Sequence, residues 1–350
     1  MREREKEKGN RESAVAGGYA YSKKRLGGIV MDTGSHLLLG VTLGGLAHLS
    51  PGVASDPVLA QAVMAATVIG SNAPDFDTVV RVKGQTTYIR YHRGVTHSIP
   101  ALFLWPAVIS LLVSAGYGLW GHLWLLYGWA LAAVILHVFL DMLNTYGVQC
   151  LRPLSQRWVH LDILAIFEPF LFVLHAGGLV WWIFFHGEPG TIFAIVYLAS
   201  FGYIAVRACQ HQLLIRRVKG QFGLDGVYHV IPSFHPFFWR FVVETDRHFY
   251  TGKVEYQHIY VEEVYLKEQR NEIIRATMGV DGVRAFLGFA QRVHVTWKEI
   301  HDGYEVTWSD VRFWYDRKLP FGVDVRLDRE LNVVSLKMGW RKKMWNPPFV

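Results

Sequence analysis

Six apolar runs in the N-terminal part of the chain predict a bundle of membrane helices. They cover residues 37–49, 57–70, 98–116, 119–140, 163–185 and 191–206. The runs 98–116 and 119–140 contain no Asp, Glu, Lys or Arg, and each has about the 20 residues that an α-helix needs to cross a bilayer. The first run is the shortest, so it could be re-entrant or interfacial. Its Gly40 and Gly44 would let it pack closely on a neighbouring helix.

The pattern changes after Arg207 to an alternation of apolar and polar positions, which is typical of half-buried β-strands. It predicts strands at residues 254–261, 293–300, 304–308 and 323–327, and a helix at 261–278. The predicted fold class is therefore a mostly α polytopic membrane domain of about six apolar helices, followed by a smaller β-rich α+β cytoplasmic domain. The predicted domains are residues 31–207 and 208–350.

The distribution of charge follows the same division. Between residues 98 and 206 the only basic residues are Arg152 and Arg157, whereas the chain from Arg207 onwards has 22 Lys and Arg and 17 Asp and Glu. Overall, 51% of the residues are hydrophobic and 19% are charged, against about 25% charged residues in typical soluble domains. This composition excludes a disordered chain, and two cysteines exclude a disulfide-rich secreted scaffold.

Basic residues also orient the predicted helices. Lys and Arg occur in alternate connections of the bundle, at residues 1–30, 81–93 and 152–157 and beyond residue 207. The other connections, 50–56, 116–121 and 186–190, contain none. The positive-inside rule places the basic segments in the cytoplasm, so six crossings leave both termini there. Topology and anionic lipid explain the net charge of +7. We therefore expect the lipid bilayer as a partner and no direct nucleic-acid binding.

Residues 1–30 form a segment of their own. They begin with the alternating charges of MREREKEKGNRE and continue through sequence containing Gly and Ser. No apolar stretch of the kind found in a signal peptide follows within range. We interpret the segment as a disordered cytoplasmic tail or as sequence upstream of a true translation start at Met31.

Histidine and acidic residues collect at the predicted cytoplasmic ends of the helices. Asp32 and His36 share a helix face because they are four residues apart, and the same holds for His137 and Asp141. The others flank the apolar runs and are Asp75, Asp77, His92, His97, Asp162 and Glu168. Imidazole favours zinc, and carboxylates also accept magnesium or manganese. The set therefore predicts a site for one or two divalent metal ions, with zinc as the first choice.

The ordered motifs resemble those of a known family. They are Met31-Asp32-x-x-Ser35-His36, Asn72-Ala-Pro-Asp75-Phe-Asp77, His92-Arg93-Gly94-x-x-His97-Ser98 and His137-x-x-x-Asp141-x-x-Asn144-x-Tyr146-Gly147. They look like the YdjM/YfhP-like bacterial membrane-bound metal-dependent hydrolases, which are also described as LexA-binding, inner membrane-associated proteins. The resemblance covers residues 32–185 and extends to the soluble tail of the longer members. It implies a multi-pass protein of the bacterial inner membrane.

Carried over residue by residue, the resemblance implies a set of metal ligands. The first six are His36, Asp75, His92, His97, His137 and Asp141, and Asp32, Asp77 and Asp162 are further ligands. Family members carry Asp-Pro shortly after the position of Asp162. This chain has Glu168-Pro169 there, which keeps the charge but moves it by one methylene group.

The leading hypothesis is a membrane metal-dependent hydrolase that acts on a phosphoester or acyl bond of a small-molecule or lipid-like substrate. We assign Arg93 to phosphate binding, because a guanidinium pairs with phosphate oxygens in a bidentate way, and we assign Asp77 and Glu168 to catalysis. Two non-enzymatic alternatives stay open: a metal transporter or sensor, and a scaffold that presents the C-terminal domain. A transporter needs ligands near the middle of the bilayer, whereas runs 98–116 and 119–140 are uncharged there, which favours the enzyme.

Overall fold

Eight α-helices form the N-terminal part of the chain that the structure describes. The computed structural model describes residues 26–268 and 271–341, with side chains from Thr33 onwards, so most of the predicted tail 1–30 lies outside the described residues. The helices are α1 (Leu26–Leu46), α2 (Pro51–Ser55), α3 (Pro57–Gly70), α4 (Gln85–Tyr91), α5 (Ile99–Tyr117), α6 (Leu123–Leu143), α7 (Pro169–Phe185) and α8 (Pro189–Phe222). Two 3₁₀ helices, Ala73–Lys83 and Val95–His97, carry residues of the candidate site.

Three helical segments within the described residues are long and apolar enough to cross a membrane. They are α5, the segment Trp120–Leu143 that contains α6, and α8. Helices α3 and α7 are apolar but have only 14 and 17 residues. They extend about 21 and 26 Å, less than the roughly 30 Å of a bilayer core. The described residues therefore contain three membrane-capable helices rather than about six, although the N-terminal part is helical as predicted.

Two of the predicted membrane helices differ from the structure for separate physical reasons. Helix α7 begins only at Pro169, because the amides of Ile163 and Leu164 donate to the Leu143 carbonyl instead of continuing a helix. Helix α1 has 21 residues, but these include six glycines and His36, so it is less apolar than a typical spanning helix.

Glycines bring α1 into close contact with α3 and its end. A Cβ atom at Gly40 would lie 2.2 Å from Ser71 Oγ, and one at Gly44 would lie 2.7 Å from Met64 Sδ. At Gly40 a side chain would also lie 3.0 Å from the Thr67 carbonyl oxygen, and at Gly44 it would displace the Met64 side chain. This agrees with the predicted close packing. The contact holds Ser71 at the end of α3, where its carbonyl group takes part in the candidate site.

Helix α8 connects the two parts of the molecule. It has 34 residues and runs without interruption through the predicted domain boundary at residue 207. Its length of about 51 Å exceeds the thickness of a bilayer core. Beyond that boundary, Leu214 and Val218 pack into the core of the first β-sheet, so the helix passes directly from the bundle to the C-terminal part.

Two four-stranded antiparallel sheets form the C-terminal part, each with its strands in sequence order. The first sheet contains β1 (Val227–Pro232), β2 (Phe238–Glu244), β3 (His248–Glu255) and β4 (His258–Leu266). The second contains β5 (Val293–Ile300), β6 (Gly303–Asp310), β7 (Phe321–Leu327) and β8 (Val333–Trp340). Helices α9 (Glu272–Met278) and α10 (Asp281–Phe289) pack on the second sheet around Phe286 and Trp308.

The alternating pattern predicts the second sheet better than the first. The predicted strands 293–300, 304–308 and 323–327 lie in β5, β6 and β7. The predicted strand 254–261 is wrong, because the chain turns at Tyr256, which has a positive φ of 51°. The predicted helix 261–278 is also wrong over its first half, where the chain forms β4 and pairs with β3.

Buried contacts join the second sheet to the candidate-site end of the helices. Arg312 is fully buried and donates to both carboxylate oxygens of Asp310, while its Nη1 donates to the carbonyl oxygen of Thr145 at 3.1 Å. Ile89 of α4 lies in the core of the second sheet, and Arg90 pairs with Asp281 at 2.6 Å. The C-terminal part therefore covers the end of the bundle where α6 finishes.

Candidate metal centre

Four side chains from three segments bring their ligand atoms together at the end of α6. Asp75 follows Pro74 in the 3₁₀ helix after α3, His97 ends the 3₁₀ turn before α5, and His137 and Asp141 lie one turn apart on α6. Their ligand atoms all lie within 4.8 Å of one another. We call this group the four-ligand centre.

The distances within the four-ligand centre match those between the ligands of one ion. His97 Nε2 lies 3.2 Å from His137 Nε2 and 3.3 Å from Asp141 Oδ2. Asp75 Oδ1 lies 3.5 Å from His97 Nε2 and 3.7 Å from His137 Nε2, and His137 Nε2 lies 3.5 Å from Asp141 Oδ2. Zinc–ligand bonds of 2.0–2.2 Å in a tetrahedron separate neighbouring ligands by about 3.3–3.6 Å. The four atoms could therefore hold one metal ion.

Hydrogen bonds at Nδ1 orient both imidazoles so that their Nε2 atoms face the middle of the four-ligand centre. His137 Nδ1 lies 2.7 Å from the Ser71 carbonyl oxygen, which can only accept a hydrogen bond, so Nδ1 carries the proton. His97 Nδ1 lies 3.0 Å from Thr96 Oγ1, and Thr96 donates its own proton to Asp77 Oδ2. The Nε2 atoms of both neutral rings are therefore left with lone pairs. Such outer partners are typical of metal-binding histidines.

The inner carboxylate oxygens of the four-ligand centre lie 3.3–3.7 Å from the two imidazole Nε2 atoms, which carry a positive charge only if the rings are protonated. Asp75 Oδ1 and Asp141 Oδ2 are buried and accept no hydrogen bond among the described residues. The outer oxygen of Asp141, Oδ1, lies 2.8 Å from Arg93 Nη2. Two lone-pair nitrogens and two carboxylate oxygens therefore face one another across less than 4 Å. Such an arrangement requires protons or a cation between them.

Charge balance also favours a divalent cation. Three buried or largely buried carboxylates, Asp75, Asp77 and Asp141, lie close to one buried guanidinium, that of Arg93. With neutral histidines, the group lacks two positive charges. A divalent ion supplies both, so it would remove much of the cost of burying the carboxylates.

The pKa values of Asp75 and His97, the two ligands outside α6, reflect the same demand for positive charge. Burial raises the pKa of Asp75, but the neighbouring His137 and His97 outweigh burial and hold that pKa well below its usual range. Burial lowers the pKa of His97, but the neighbouring carboxylates of Asp141 and Asp75 outweigh burial and raise that pKa above its usual value. Each group therefore stabilises the charged form of the other.

Three further residues of the predicted site surround the four-ligand centre. His36 Nε2 lies 3.6 Å from Asp141 Oδ1, and the ring of His36 packs on that of His137 with 4.0 Å between centroids. His92 Nδ1 lies 2.6 Å from Asp77 Oδ1, and Asp77 also accepts from the Arg93 amide. Asp75, Asp77 and His92 form a second group whose ligand atoms lie within 4.8 Å of one another. This second group shares Asp75 with the first.

Arg93 lies beside the four-ligand centre and has an unusual left-handed backbone conformation. Its backbone has a positive φ of 60°, which is unusual for a residue with a side chain. Its guanidinium is buried, with Nη2 on Asp141 Oδ1 at 2.8 Å and Nη1 donating to Asn144 Oδ1 at 3.2 Å. Asn144 in turn accepts from the amides of Tyr146 and Gly147. The contacts tie Arg93 to Asp141, and its predicted role in phosphate binding stays a prediction.

A largely apolar pocket opens beside the four-ligand centre. It lies between α1, α6, α7 and residues 164–168, and its polar lining includes His36, Asp141, Asn144, Glu168 and His175. The apolar lining residues are Leu38, Leu39, Leu140, Leu164, Ala165, Ile166, Leu171 and Phe172. Glu168 accepts from Tyr203 at 2.6 Å through Oε1, while its buried Oε2 accepts no hydrogen bond among the described residues. Glu168 therefore lies in the pocket rather than within the four-ligand centre.

Comparison with known proteins gives a family for this arrangement. A family model described as YdjM inner membrane protein matches residues 31–214, and one described as YfhP C-terminal alpha/beta plait domain matches residues 272–346. The chain is 37% identical over 316 residues to "Uncharacterized protein YfhP" of Bacillus subtilis (strain 168), covering 89% of this chain and 95% of that protein. The chain belongs to the YdjM/YfhP-like family. No solved structure matches it.

Membership of the YdjM/YfhP-like family confirms the resemblance found in the motifs and agrees with an inner membrane protein. Of the three membrane-capable helices, α5 and α6 with its preceding turn fall within the region matched by the YdjM model, and α8 begins within it and ends beyond residue 214. All four ligands of the four-ligand centre fall there too. The candidate metal centre is therefore part of the helical unit that defines the family.

The structure places one predicted ligand of this YdjM/YfhP-like chain, Asp162, away from the four-ligand centre. The side chain of Asp32 lies outside the described residues. Asp162 instead groups with His160 and with His229 of β1, two residues that the sequence analysis missed. His160 lies two residues before Asp162 in the pattern His-x-Asp, which could have indicated from the sequence that the two side chains belong together. His229 lies 67 residues away from Asp162, so only the folded chain brings it close.

Proposed function

We propose that this protein is an integral-membrane metal-dependent hydrolase that cleaves a phosphoester or acyl bond of a lipid-like substrate at the cytoplasmic face of the inner membrane. In this proposal the chain crosses the membrane several times and both termini are cytoplasmic. The metal is zinc or a similar divalent ion, bound by Asp75, His97, His137 and Asp141.

One observation carries the proposal. Two imidazole nitrogens with their protons fixed on the far side of the ring face two buried carboxylate oxygens that accept no hydrogen bond among the described residues. Without an ion, these nitrogens and oxygens, 3.3–3.7 Å apart, can be satisfied only by additional protons on the rings. A divalent cation satisfies all four atoms together.

The bound ion would supply Lewis acidity and make water a nucleophile near neutral pH. The protein residues then have distinct roles. Arg93 holds Asp141 through its outer oxygen, so that Oδ2 stays directed inwards. Asp77 acts through Thr96, because the hydroxyl that donates to Asp77 is the group that fixes the proton of His97 on Nδ1. Both are therefore positioning residues in this proposal.

The adjoining pocket supports a substrate with an apolar portion. Its lining is mostly leucine and other apolar side chains, and it reaches Asp141 and His36 at one end. Glu168 also lines it, with one carboxylate oxygen that accepts no hydrogen bond among the described residues. We assign Glu168 the role of proton acceptor or donor toward the substrate, because it could contact a molecule in the pocket without binding the metal.

The position of the four-ligand centre favours an enzyme over a transporter. His137 and Asp141 lie in the last two turns of α6, and His97 precedes α5. The ligands therefore lie where helices end, whereas a transporter holds its ion near the middle of the bilayer. A site at the membrane surface is accessible to a lipid headgroup and to water.

The experiment combines metal content with hydrolysis. Purified wild-type protein is compared with a His97→Ala, Asp141→Asn double variant and with a matched control, His122→Ala, Glu188→Gln, whose residues are exposed at the far ends of the helices. Each protein is analysed for bound metal and assayed with a phosphodiester and a medium-chain acyl ester of p-nitrophenol. We expect metal and activity in the wild type and the control only. Equal metal content in all three would contradict the metal centre, and metal without hydrolysis of either ester would contradict the hydrolase.

A further inference from the structure

The 3₁₀ helix Ala73–Lys83 has an unusual exposed apolar face. It contains 11 residues, whereas 3₁₀ helices longer than three or four residues are uncommon. Because a 3₁₀ helix has three residues per turn, Phe76, Val79 and Val82 lie on one face. Their exposed fractions are 54%, 67% and 85%. A row of three such side chains in water is unfavourable, so this face requires a partner.

The three faces of this 3₁₀ helix explain the spacing Asp75-Phe76-Asp77. Asp75 points to His97 and His137, and Asp77 points to His92 and Thr96. Phe76, between them, lies on the remaining face and points away from the four-ligand centre. The segment therefore carries ligand and positioning residues on its inner faces and apolar residues on its outer face.

The outer face continues the lipid-facing surface of a membrane helix. Phe76 packs edge-on against Trp105 of α5, with 5.9 Å between ring centroids. The neighbouring α5 residues Phe103 and Leu104 are 55% and 64% exposed, as expected for side chains that contact acyl chains. The apolar face of the 3₁₀ helix therefore begins where the surface of α5 meets the headgroup region.

The charged residues of the 3₁₀ helix Ala73–Lys83 favour contact with anionic lipid. Arg81, whose guanidinium packs over the Tyr88 ring at 4.7 Å, and the exposed Lys83 stand at its C-terminal end, about one to two turns beyond its only acidic residues, Asp75 and Asp77, which face inwards. An apolar face flanked by basic side chains is the composition of segments that lie in the headgroup region of anionic membranes.

We propose that the 3₁₀ helix Ala73–Lys83 lies on the membrane, with Phe76, Val79 and Val82 inserted among the acyl chains and Arg81 and Lys83 on anionic phosphate groups. The inference is independent of the proposed hydrolase activity, because it concerns only the surface of the segment. Its consequence is that lipid contact holds Asp75 and Asp77 at the depth of the headgroups.

Depth-dependent quenching tests this proposal on the full-length protein. Cys209 is exposed and Cys150 is buried, so a Cys209→Ser background leaves single engineered cysteines for labelling. An environment-sensitive fluorophore is attached to Val82→Cys or Val79→Cys, and to Val334→Cys as a control, because Val334 is a 64% exposed valine in the C-terminal part. The proteins are reconstituted in nanodiscs of 30% phosphatidylglycerol and 70% phosphatidylcholine with brominated acyl chains.

The expected result is at least twofold stronger quenching of the labels at residues 79 and 82 than of the label at 334. Replacing phosphatidylglycerol by phosphatidylcholine, or introducing Arg81→Gln with Lys83→Gln, should reduce the quenching. Equal quenching at residues 82 and 334 would overturn the proposal. A blue-shifted label at residue 82 without quenching would also overturn it, because a protein partner would then cover the face.

Discussion

The molecule contains two clusters of the same residue types in different electrostatic settings. The four-ligand centre combines two imidazoles with two carboxylates, and both inner oxygens accept no hydrogen bond among the described residues. The second cluster, which we call the interface cluster, consists of His160, Asp162 and His229. It lies between the connection from α6 to α7 and strand β1.

The interface cluster differs from the four-ligand centre in its balance of charge, although its Asp162 Oδ1 and His160 Nδ1 also make no hydrogen bond among the described residues. Arg292 Nε donates to His229 Nε2 at 2.9 Å, so the proton of a neutral His229 lies on Nδ1, 3.3 Å from Asp162 Oδ2. His160 Nε2 lies 2.6 Å from Gln291 Oε1. Arg292 also pairs with Glu244 at 3.0 Å, and Glu244 pairs with Lys267 at 2.7 Å. Two cations therefore accompany the two carboxylates of Asp162 and Glu244, which leaves no deficit of positive charge.

Burial raises the pKa of Asp162, but its contacts with His160 and His229 outweigh burial and hold that pKa far below its usual range. The comparison teaches that residue type and spacing are not enough to identify a metal centre. The charges around a cluster decide whether its carboxylates need a further cation. We therefore expect metal at the four-ligand centre and an electrostatic contact between domains at the interface cluster.

The largest expected effect is the loss of one ligand of the four-ligand centre. His137→Ala and Asp141→Asn should each abolish metal binding and activity, and the double variant should be little worse than either single variant. Residues that act as one unit show such non-additive losses. Metal analysis and turnover measure both effects, with His122→Ala as the control at the other end of α6. Additive losses would argue against a shared site.

Loss of the hydrogen bond between Thr96 and His97 Nδ1 should have a smaller effect on metal binding. Thr96→Val removes the hydroxyl that lies 3.0 Å from His97 Nδ1 and donates to Asp77. Loss of such an outer partner typically lowers metal affinity about 10–100-fold. Thr96→Ser keeps the hydroxyl and should restore the affinity, as measured by competition with a chelating dye. Equal affinities of the Val and Ser variants would contradict this role of Thr96.

Variants of the interface cluster should have the smallest effect on metal binding, but they should lower the stability of the protein. Asp162→Asn and His229→Ala should leave the metal content unchanged and lower the free energy of unfolding by about 1–3 kcal/mol, because a buried polar group loses its partner. The stability contributed by Asp162 is present above its unfolded pKa near 4 and is lost only as the pH falls toward its depressed folded pKa. Thermal unfolding between pH 5 and 8 should therefore show a constant difference between wild type and Asp162→Asn.

Much of the four-ligand centre could be predicted from the sequence because its signals are local. His137 and Asp141 are one helical turn apart, and the basic connections assign Asp75 and His97 to the same membrane face as these two. The interface cluster could not be predicted in this way, because the partner of Asp162 lies on β1 and packs against it only in the folded protein. Local periodicity carries no information on such a contact.

The errors in the fold have a similar origin. A run of apolar residues indicates burial or lipid contact, but it does not give the length of the helix inside it. Residues 163–167 are apolar, but they do not form the first turns of α7. The amides of Ile163 and Leu164 instead donate to the Leu143 carbonyl at the end of α6. In the C-terminal part, His258–Leu266 contains Glu residues that favour a helix, but pairing with β3 makes it a strand. Tertiary contacts override local preference in both cases.

Anomalous diffraction at the zinc absorption edge, from crystals of the zinc-loaded protein, tests the central claim most directly. The account predicts a peak about 2.0–2.2 Å from Asp75 Oδ1, His97 Nε2, His137 Nε2 and Asp141 Oδ2, and no peak between His160 and Asp162. Absence of a peak at the four-ligand centre, with its histidines hydrogen-bonded to the carboxylates, would contradict the account.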